Sequence, residues 1–324
     1  MMAMFEQALR AYDILSQNIF PFFTKQPTRT TFEITRRCNL NCPHCYVYTM
    51  NPEYEGKQRQ QILQEVASLE LSIQDYEHLF RHEKRLGRKS VFLIGGEPTL
   101  RMDVIKLGYS YFGRNLTLIT NGQIKIPIEM KFPFAVSVDG GQTVHDTIRG
   151  NGSWQRVHHN YSDDHRAMLS CCLRKGTVHQ IQTLIDDWVD SRVFGVMFFF
   201  ITPPIGDLTM HVAGDERTLA RQELHRVVDE YPHFVRMTHQ LVDMLCDEQT
   251  TECPVSMISS WYNYQGNIEH HCLLGKNADC TRCGCVTPLY IRMIKHWWRH
   301  LDRRTIDILT LPRDARPCRQ PGER

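Results

Sequence analysis

No stretch of this chain is apolar for long enough to cross a bilayer, and that excludes a membrane span. The opening run MMAMFEQALRAYDILSQNIFPFF sets Glu6 and Asp13 in an amphipathic helical pattern, so it reads neither as a signal peptide nor as an anchor. A cytoplasmic protein is the expectation. Net charge is equally scant: a formal +2 offers no field for nucleic acid or for an anionic membrane surface. The sequence also has no internal repeat and no low-complexity tract apart from the Pro/Arg-rich end, LPRDARPCRQPGER.

What it does have is cysteine, twelve in all, in a chain whose composition is otherwise that of an ordinary globular protein. In a reducing compartment such usage points to metal or catalysis before disulfides. Cys38, Cys42 and Cys45 form one group; Cys272, Cys280, Cys283 and Cys285 form another, flanked by Cys253 and Cys318. Cys171 and Cys172 stand alone mid-chain, and Cys246 falls in a helical pattern as a core residue.

Between residues 30 and 204, short β-rich runs alternate with helical patterns. Runs at 30–35, 90–96, 115–122, 133–140, 167–175 and 194–204 read as six strands, most of them stopped by glycine or proline. Helical patterns lie at 73–86, 102–111, 153–164 and 178–191. Strands that alternate with helices imply a parallel sheet with crossover helices, and six units fall short of the eight that close a full barrel. The fold class is therefore α/β. We expect a helix at residues 1–29, a partial (β/α)6 barrel at 30–212, and a smaller helical and Cys-rich domain at 213–324, with helix over 214–248.

The spacing CxxxCxxC of Cys38, Cys42 and Cys45 can wrap three corners of a cubic [4Fe–4S] cluster and leave the fourth iron open. A zinc knuckle completed by His44 or a distant cysteine is the plainer reading of the spacing alone. Two further stretches bear on the choice. GGEP, Gly95 to Pro98, ends the second strand, where α/β sheets place ligand-binding loops, and its glycines allow close backbone approach. SVDG, Ser137 to Gly140, ends the fourth strand at the same carboxyl edge.

With EITRRCNLNCPHCY, GGEP, TNG and SVDGGQTVHDTIRGNGSW in this order, the chain resembles the radical S-adenosylmethionine (SAM) superfamily over roughly residues 30–204. CNLNCPHCY followed by HDTIRG is most similar to the branch with an auxiliary iron–sulfur domain, called SPASM or twitch. The resemblance implies that Cys38, Cys42 and Cys45 bind the [4Fe–4S] cluster and that SAM chelates its open iron. It implies reductive cleavage of SAM to a 5′-deoxyadenosyl radical, which takes hydrogen from substrate. By position, Tyr46 lies beside the adenine, and Gly95, Gly96 and Glu97 receive the SAM amino group. Ser137 and Asp139 contact its ribose or carboxylate. An electron donor such as a flavodoxin or ferredoxin is also implied.

Strand alternation puts Ser170, Cys172 and Arg174 on one face, toward the barrel interior, with Leu169, Cys171 and Leu173 on the other. Arg174 or Arg149 could then pair with the SAM carboxylate, an interaction that suits a guanidinium; a surface ion pair is the plain alternative for either. Cys172 is read as a buried thiol rather than a hydrogen-atom donor.

In the second group, C-x7-C-x2-C-x-C suggests another [4Fe–4S] cluster on Cys272, Cys280, Cys283 and Cys285, with Cys253 or Cys318 able to replace one corner and structural zinc as the alternative. The spacing departs from the full SPASM arrangement. His270 and His271 read as exposed loop residues. KHWWRH could stack on nucleic acid, but near-neutral charge favours a helix packed by its tryptophans. The substrate is a peptide or a small metabolite; a single helix before residue 30, with no winged-helix domain, weighs against a peptide. A non-catalytic iron–sulfur or zinc scaffold for a partner is the alternative class.

Overall fold

Branched and aromatic residues recur at alternate positions in six short runs, and each run forms a strand whose buried side faces helices. The computed structural model describes residues 27–247, 253–255 and 259–297. The strands are β1 (Arg29–Thr35), β2 (Ser90–Gly95), β3 (Leu116–Thr120), β4 (Phe134–Ser137), β5 (Ala167–Leu173) and β6 (Gly195–Phe200). They pair in chain order and all in parallel. Helices cross between them: α1 (Tyr46–Thr49), α2 (Arg59–Leu69) and α3 (Ile73–Arg85) after β1, α4 (Met102–Phe112) after β2, α5 (Gln142–Arg149) and α6 (Ser153–Tyr161) after β4, and α7 (Gln180–Trp188) after β5. The β3–β4 connection has no helix. There, Arg166 donates to the carbonyls of Ile126, Pro127 and Met130 and replaces the missing packing with hydrogen bonds of 3.1, 2.8 and 2.6 Å.

Local chemistry sets the element ends. Ser72 caps α3 by accepting from Asp75 N while Asp75 Oδ2 accepts from Ser72 N at 2.9 Å, a reciprocal capping box. Tyr76 and Phe80 then point inward at helical spacing, and Phe80 meets Phe32 of β1 edge-on with ring centroids 5.2 Å apart. On β5, Ala167, Leu169, Cys171 and Leu173 join the apolar core with Phe134 and Val136 of β4 and Val196, Phe198 and Phe200 of β6. Cys172 lies outside that core cluster, on the face with the charged residues described below.

Beyond β6 the expectations need correction. The helical span at 214–248 is two helices, α8 (Gly214–Glu230) and α9 (His239–Cys246), because Pro232 cannot continue the first one. Two strands went unread, β7 (Ser259–Tyr262) and β8 (Ile268–Glu269). β7 lies parallel to β1 with Phe32 opposite Tyr262, and β8 returns antiparallel. The sheet order is β6-β5-β4-β3-β2-β1-β7-β8, so the sheet runs on past residue 212 into the Cys-rich region. Tyr262 fastens the addition: its ring stacks on Phe32 at 4.8 Å and its hydroxyl donates to buried Glu83 at 2.8 Å. A last helix, α10 (Val286–Trp297), packs on α9.

The expected helix at 1–29 lies outside the described residues up to position 26, as do Cys318, the Pro/Arg-rich end and the side chains of the KHWWRH segment. No helix among the described residues is long and apolar enough to cross a membrane.

Candidate active site

In a parallel sheet every strand delivers its carboxyl end to the same edge, and here five consecutive ends deliver polar residues. The cysteine loop follows β1, GGEP follows β2, TNG follows β3, SVDG closes β4, and Arg174 follows β5.

The cysteine loop is held by its surroundings. Cys45 N donates to Cys42 O at 3.2 Å, and the carbonyl of Cys45 accepts from Tyr48 N and Thr49 N as α1 begins. Arg59 of α2 lies over the Tyr48 ring, 4.4 Å from its centroid, and donates to the carbonyls of Cys38 and Leu40. Tyr46 directs its hydroxyl to Gly95 O at 3.3 Å and so ties the loop to GGEP. Burial pushes the thiols of Cys38 and Cys42 up, and that of Cys45 up to about 12. Any metal bound here must displace those protons.

The glycines of GGEP are used first by the protein itself. Gly96 N donates to Thr35 O and Glu97 N to Arg37 O, both at 2.8 Å. A Cβ on Gly95 would sit 2.1 Å from Thr35 O, and one on Gly96 would sit 2.3 Å from Arg37 O, so only glycine lets the two loops touch. Glu97 also departs from expectation. It is fully buried, and its oxygens accept from Thr99 N at 3.0 Å, Thr99 Oγ1 at 2.6 Å, Thr120 Oγ1 at 2.7 Å and Asn121 N at 2.6 Å. Burial raises its pKa against the pull of those four bonds. The carboxylate expected to receive an amino group is therefore engaged within the chain, clasping the loop after β3 to the loop after β2.

At the ends of β4 and β5 lies a charged group. Buried Asp139 accepts from Arg149 Nε at 2.7 Å and from its Nη2 at 3.3 Å, in a two-pronged pair. Burial alone would raise the Asp139 carboxyl, but the Arg149 guanidinium outweighs it and holds the group well below the usual carboxylate range. Asp139 N donates to His145 Nδ1 at 3.2 Å. Ser137 is half-buried, opposite Ser170 in the β4–β5 register. Arg174 is 6% exposed; its Nη1 lies 3.2 Å from His44 Nδ1, while its Nε has no partner among the described residues. His44 Nε2 stands 3.9 Å from Asp139 Oδ2, and burial pushes this imidazole down to about 4. Both ring nitrogens of His44 thus look toward Asp139 and Arg174, which disfavours His44 as a fourth zinc ligand. The Cys172 thiol, pushed up to about 12 by burial, feels the charges of Asp139, Arg174 and Arg149.

The second cysteine group is stitched to the end of β6. Phe200 N donates to Gly284 O at 3.2 Å, Gly284 N donates to Thr202 Oγ1 at 3.0 Å, and Thr202 Oγ1 reaches Cys283 Sγ at 3.9 Å. Ile205 N and Asp279 N close a short antiparallel contact. Asn277 Nδ2 donates to Met50 O at 2.8 Å and links this region to the first cysteine loop. Cys272 lies within electrostatic range of Cys253, Cys280 and Cys283, and Cys285 within range of Cys272 and Cys283. Sequence reasoning gave Cys253 only an alternate place, and the fold brings it to this group. His271 is exposed beside it.

The donor set of the first loop suits an iron–sulfur cluster. It offers three thiols, a backbone N–H from Leu40 to Cys38 Sγ at 3.4 Å, and, at the same rim, a buried guanidinium with a nitrogen to spare. Among the described residues no three cysteine, histidine or carboxylate side chains converge as a single metal ion would need. Sequence reasoning assigned no role to Asn121, although TNG marked its position; its bonds to Glu97, Asn39 and Cys38 reach 24, 82 and 83 positions away, which no local pattern signals.

The sequence profile of the Radical SAM superfamily matches residues 32–162. Fe-coproporphyrin III synthase of Methanosarcina barkeri is 23% identical over 201 residues, covering 58% of this chain and 47% of that protein. AdoMet-dependent heme synthase of the same organism is 31% identical over 145 residues, covering 41% and 38%. The chain thus spans less than half the length of these relatives. Among solved structures, Streptococcus suis SuiB bound to S-adenosylmethionine superposes with a TM-score of 0.56 at 14% identity, over 81% of this chain and 65% of that one. Native anSMEcpe with bound AdoMet gives 0.53 at 14% identity, over 87% and 83%. At such identities the likeness is one of fold.

Proposed function

We propose that this chain, which carries a radical SAM domain over residues 32–162, is an enzyme that cleaves SAM reductively and takes a hydrogen atom from a peptide or small-metabolite substrate. The observation that carries the reading is a single rim that joins three thiols, the Asp139–Arg149 pair and Arg174, whose Nε is unpartnered among the described residues.

Cys38, Cys42 and Cys45 would hold a [4Fe–4S] cluster, leaving one iron for SAM. When bound, the reduced cluster and SAM supply a one-electron cleavage of the sulfonium C–S bond and with it a carbon radical able to attack an unactivated C–H bond. The chain's own part is to bind and orient. Arg149 is committed to Asp139, so Arg174 is the better partner for the SAM carboxylate. Gly95 and Gly96 hold the GGEP backbone against the cysteine loop, and Glu97 fixes the loop that follows β3, so this rim is shaped in advance. Tyr46 would lie beside the adenine, and Ser137 and Asp139 would contact the ribose or carboxylate of SAM.

For the region after residue 212 we propose a second [4Fe–4S] cluster on four of Cys253, Cys272, Cys280, Cys283 and Cys285, in the manner of the SPASM/twitch branch. The charges of Cys253, Cys280 and Cys283 act on Cys272, and that nearness supports the reading, with structural zinc as the alternative. Fold neighbours solved with peptides, SuiB with its precursor peptide SuiA and anSMEcpe with a Cys-containing peptide, support a peptide substrate. The curated relatives named as porphyrin and heme synthases support a small metabolite. The electron would come from a flavodoxin or ferredoxin.

The test is anaerobic reduction of the iron-loaded protein with SAM, with 5′-deoxyadenosine as the readout. Production by the wild type and none by Cys38→Ala, Cys42→Ala or Cys45→Ala is expected. Equal production by any one of these variants would remove the cluster from this loop.

A further inference from the structure

Asn121 follows β3 and is buried at 6% exposure. Its amide can face only one way. Gln123 N donates to Asn121 Oδ1 at 3.0 Å, which fixes the oxygen and turns Nδ2 to the opposite side. There Nδ2 donates to Asn39 Oδ1 at 2.8 Å and to Cys38 Sγ at 3.7 Å. The Asn121 backbone N–H is gripped by Glu97 Oε2 at 2.6 Å, and the preceding Thr120 hydroxyl by Glu97 Oε1 at 2.7 Å. A buried carboxylate is thus connected through one residue to the sulfur of a cluster ligand.

We propose that Asn121 is a positioning residue that sets the reduction potential of the cluster on Cys38, Cys42 and Cys45 through its hydrogen bond to Cys38 Sγ, and that Glu97 holds it in place. The proposal rests on the cluster reading above. Reduction adds one electron, part of whose charge falls on the thiolate sulfurs. A fixed N–H donor at one sulfur stabilises that added charge and raises the potential, as hydrogen bonds to cluster sulfurs do generally. Leu40 N supplies a second donor to the same sulfur from the backbone, which no side-chain change removes. Asn121 is therefore the adjustable contribution, and its isosteric replacement by aspartate would set an acceptor against the sulfur.

The experiment is a redox titration of the iron-loaded full chain followed by electron paramagnetic resonance, reading the signal that changes when SAM is added. Asn121→Ala should shift the midpoint to a more negative value, lowering the reduced-to-oxidised ratio at fixed potential roughly tenfold, about 59 mV for a one-electron couple. Asn121→Asp should shift it further in the same direction, and it serves as the reading if the alanine variant loads poorly. Glu97→Gln should shift it the same way while leaving Asn121 intact, and the double variant should go no further than Asn121→Ala alone. A purely structural Asn121 would lower iron content or melting temperature and leave the midpoint of the loaded fraction where it was; that outcome overturns the proposal. A wild type with no SAM-responsive signal would overturn the cluster reading itself, and the proposal with it.

Discussion

Arg149 and Arg174 both reach the rim where the cysteine loop lies, yet they are not equivalent. Arg149 spends its fork on Asp139, whereas the Arg174 guanidinium meets the His44 ring through Nη1 and keeps Nε unpartnered among the described residues. Arg174→Met should therefore weaken SAM binding about 10- to 100-fold, the loss expected for a charge-assisted hydrogen bond of roughly 1.5–3 kcal/mol, and equilibrium titration of the loaded protein would measure it. Unchanged affinity would return Arg174 to the status of a buried structural cation. Asp139→Asn should act on stability instead, costing about 3–5 kcal/mol in urea unfolding because Arg149 is left buried without its partner. The pH dependence has a definite sign. The folded value of Asp139 is depressed, so its contribution is complete above the unfolded value near about 3.9 and is lost as pH falls toward the folded one. Strand alternation put Arg174 forward and HDTIRG offered Arg149 as a second candidate, but neither pattern can say which donors the neighbours have already taken. Glu97 shows the same limit: two of its four bonded groups, Thr120 Oγ1 and Asn121 N, lie at the end of β3, and only the assembled loops reveal that it is fully engaged.

Among the elements, the six strands were legible because each is a short β-rich run, most of them stopped by glycine or proline, a signal contained within a few residues. β7 was not, because SSWY carries no alternation of its own. Its place comes from Phe32 of β1, onto which Tyr262 stacks, and from Glu83 of α3, which takes the Tyr262 hydroxyl. Tyr262→Ala should cost about 3–5 kcal/mol, the range for deleting a buried aromatic, and it should do so unevenly. Limited proteolysis followed by mass spectrometry should show early cuts between residues 247 and 285 while fragments carrying β2 to β5 persist. A uniform loss of protection across the chain would mean that β7 is an integral stave of the barrel rather than an attachment to it.

At the scale of the whole molecule, two groups of thiols lie on one polypeptide and are linked through Asn277 and Met50. Replacing Cys38, Cys42 and Cys45 together by alanine leaves any remaining metal to the second group. About four irons per chain, with thiolate-to-iron absorption, would place an auxiliary cluster there. One zinc and no iron would make the region a structural clasp and withdraw much of the support for peptide oxidation. The partial barrel and the cysteine-rich extension could be foreseen because both are written in patterns of residue type. Their junction could not, because it joins residues far apart in the chain: Tyr262 to Phe32 and Glu83, Asn277 to Met50, and Gly284, where a Cβ would stand 2.0 Å from Phe200 O.

The contact of Gly95 and Gly96 with the backbone before Cys38 also bears on how the cysteine loop keeps its shape. Arg59, Tyr46 and the two glycines fix the cysteine loop through ordinary hydrogen bonds and close packing that do not use the thiol groups. A zinc finger stays unfolded until its ion binds, whereas this chain would wait as a finished vessel.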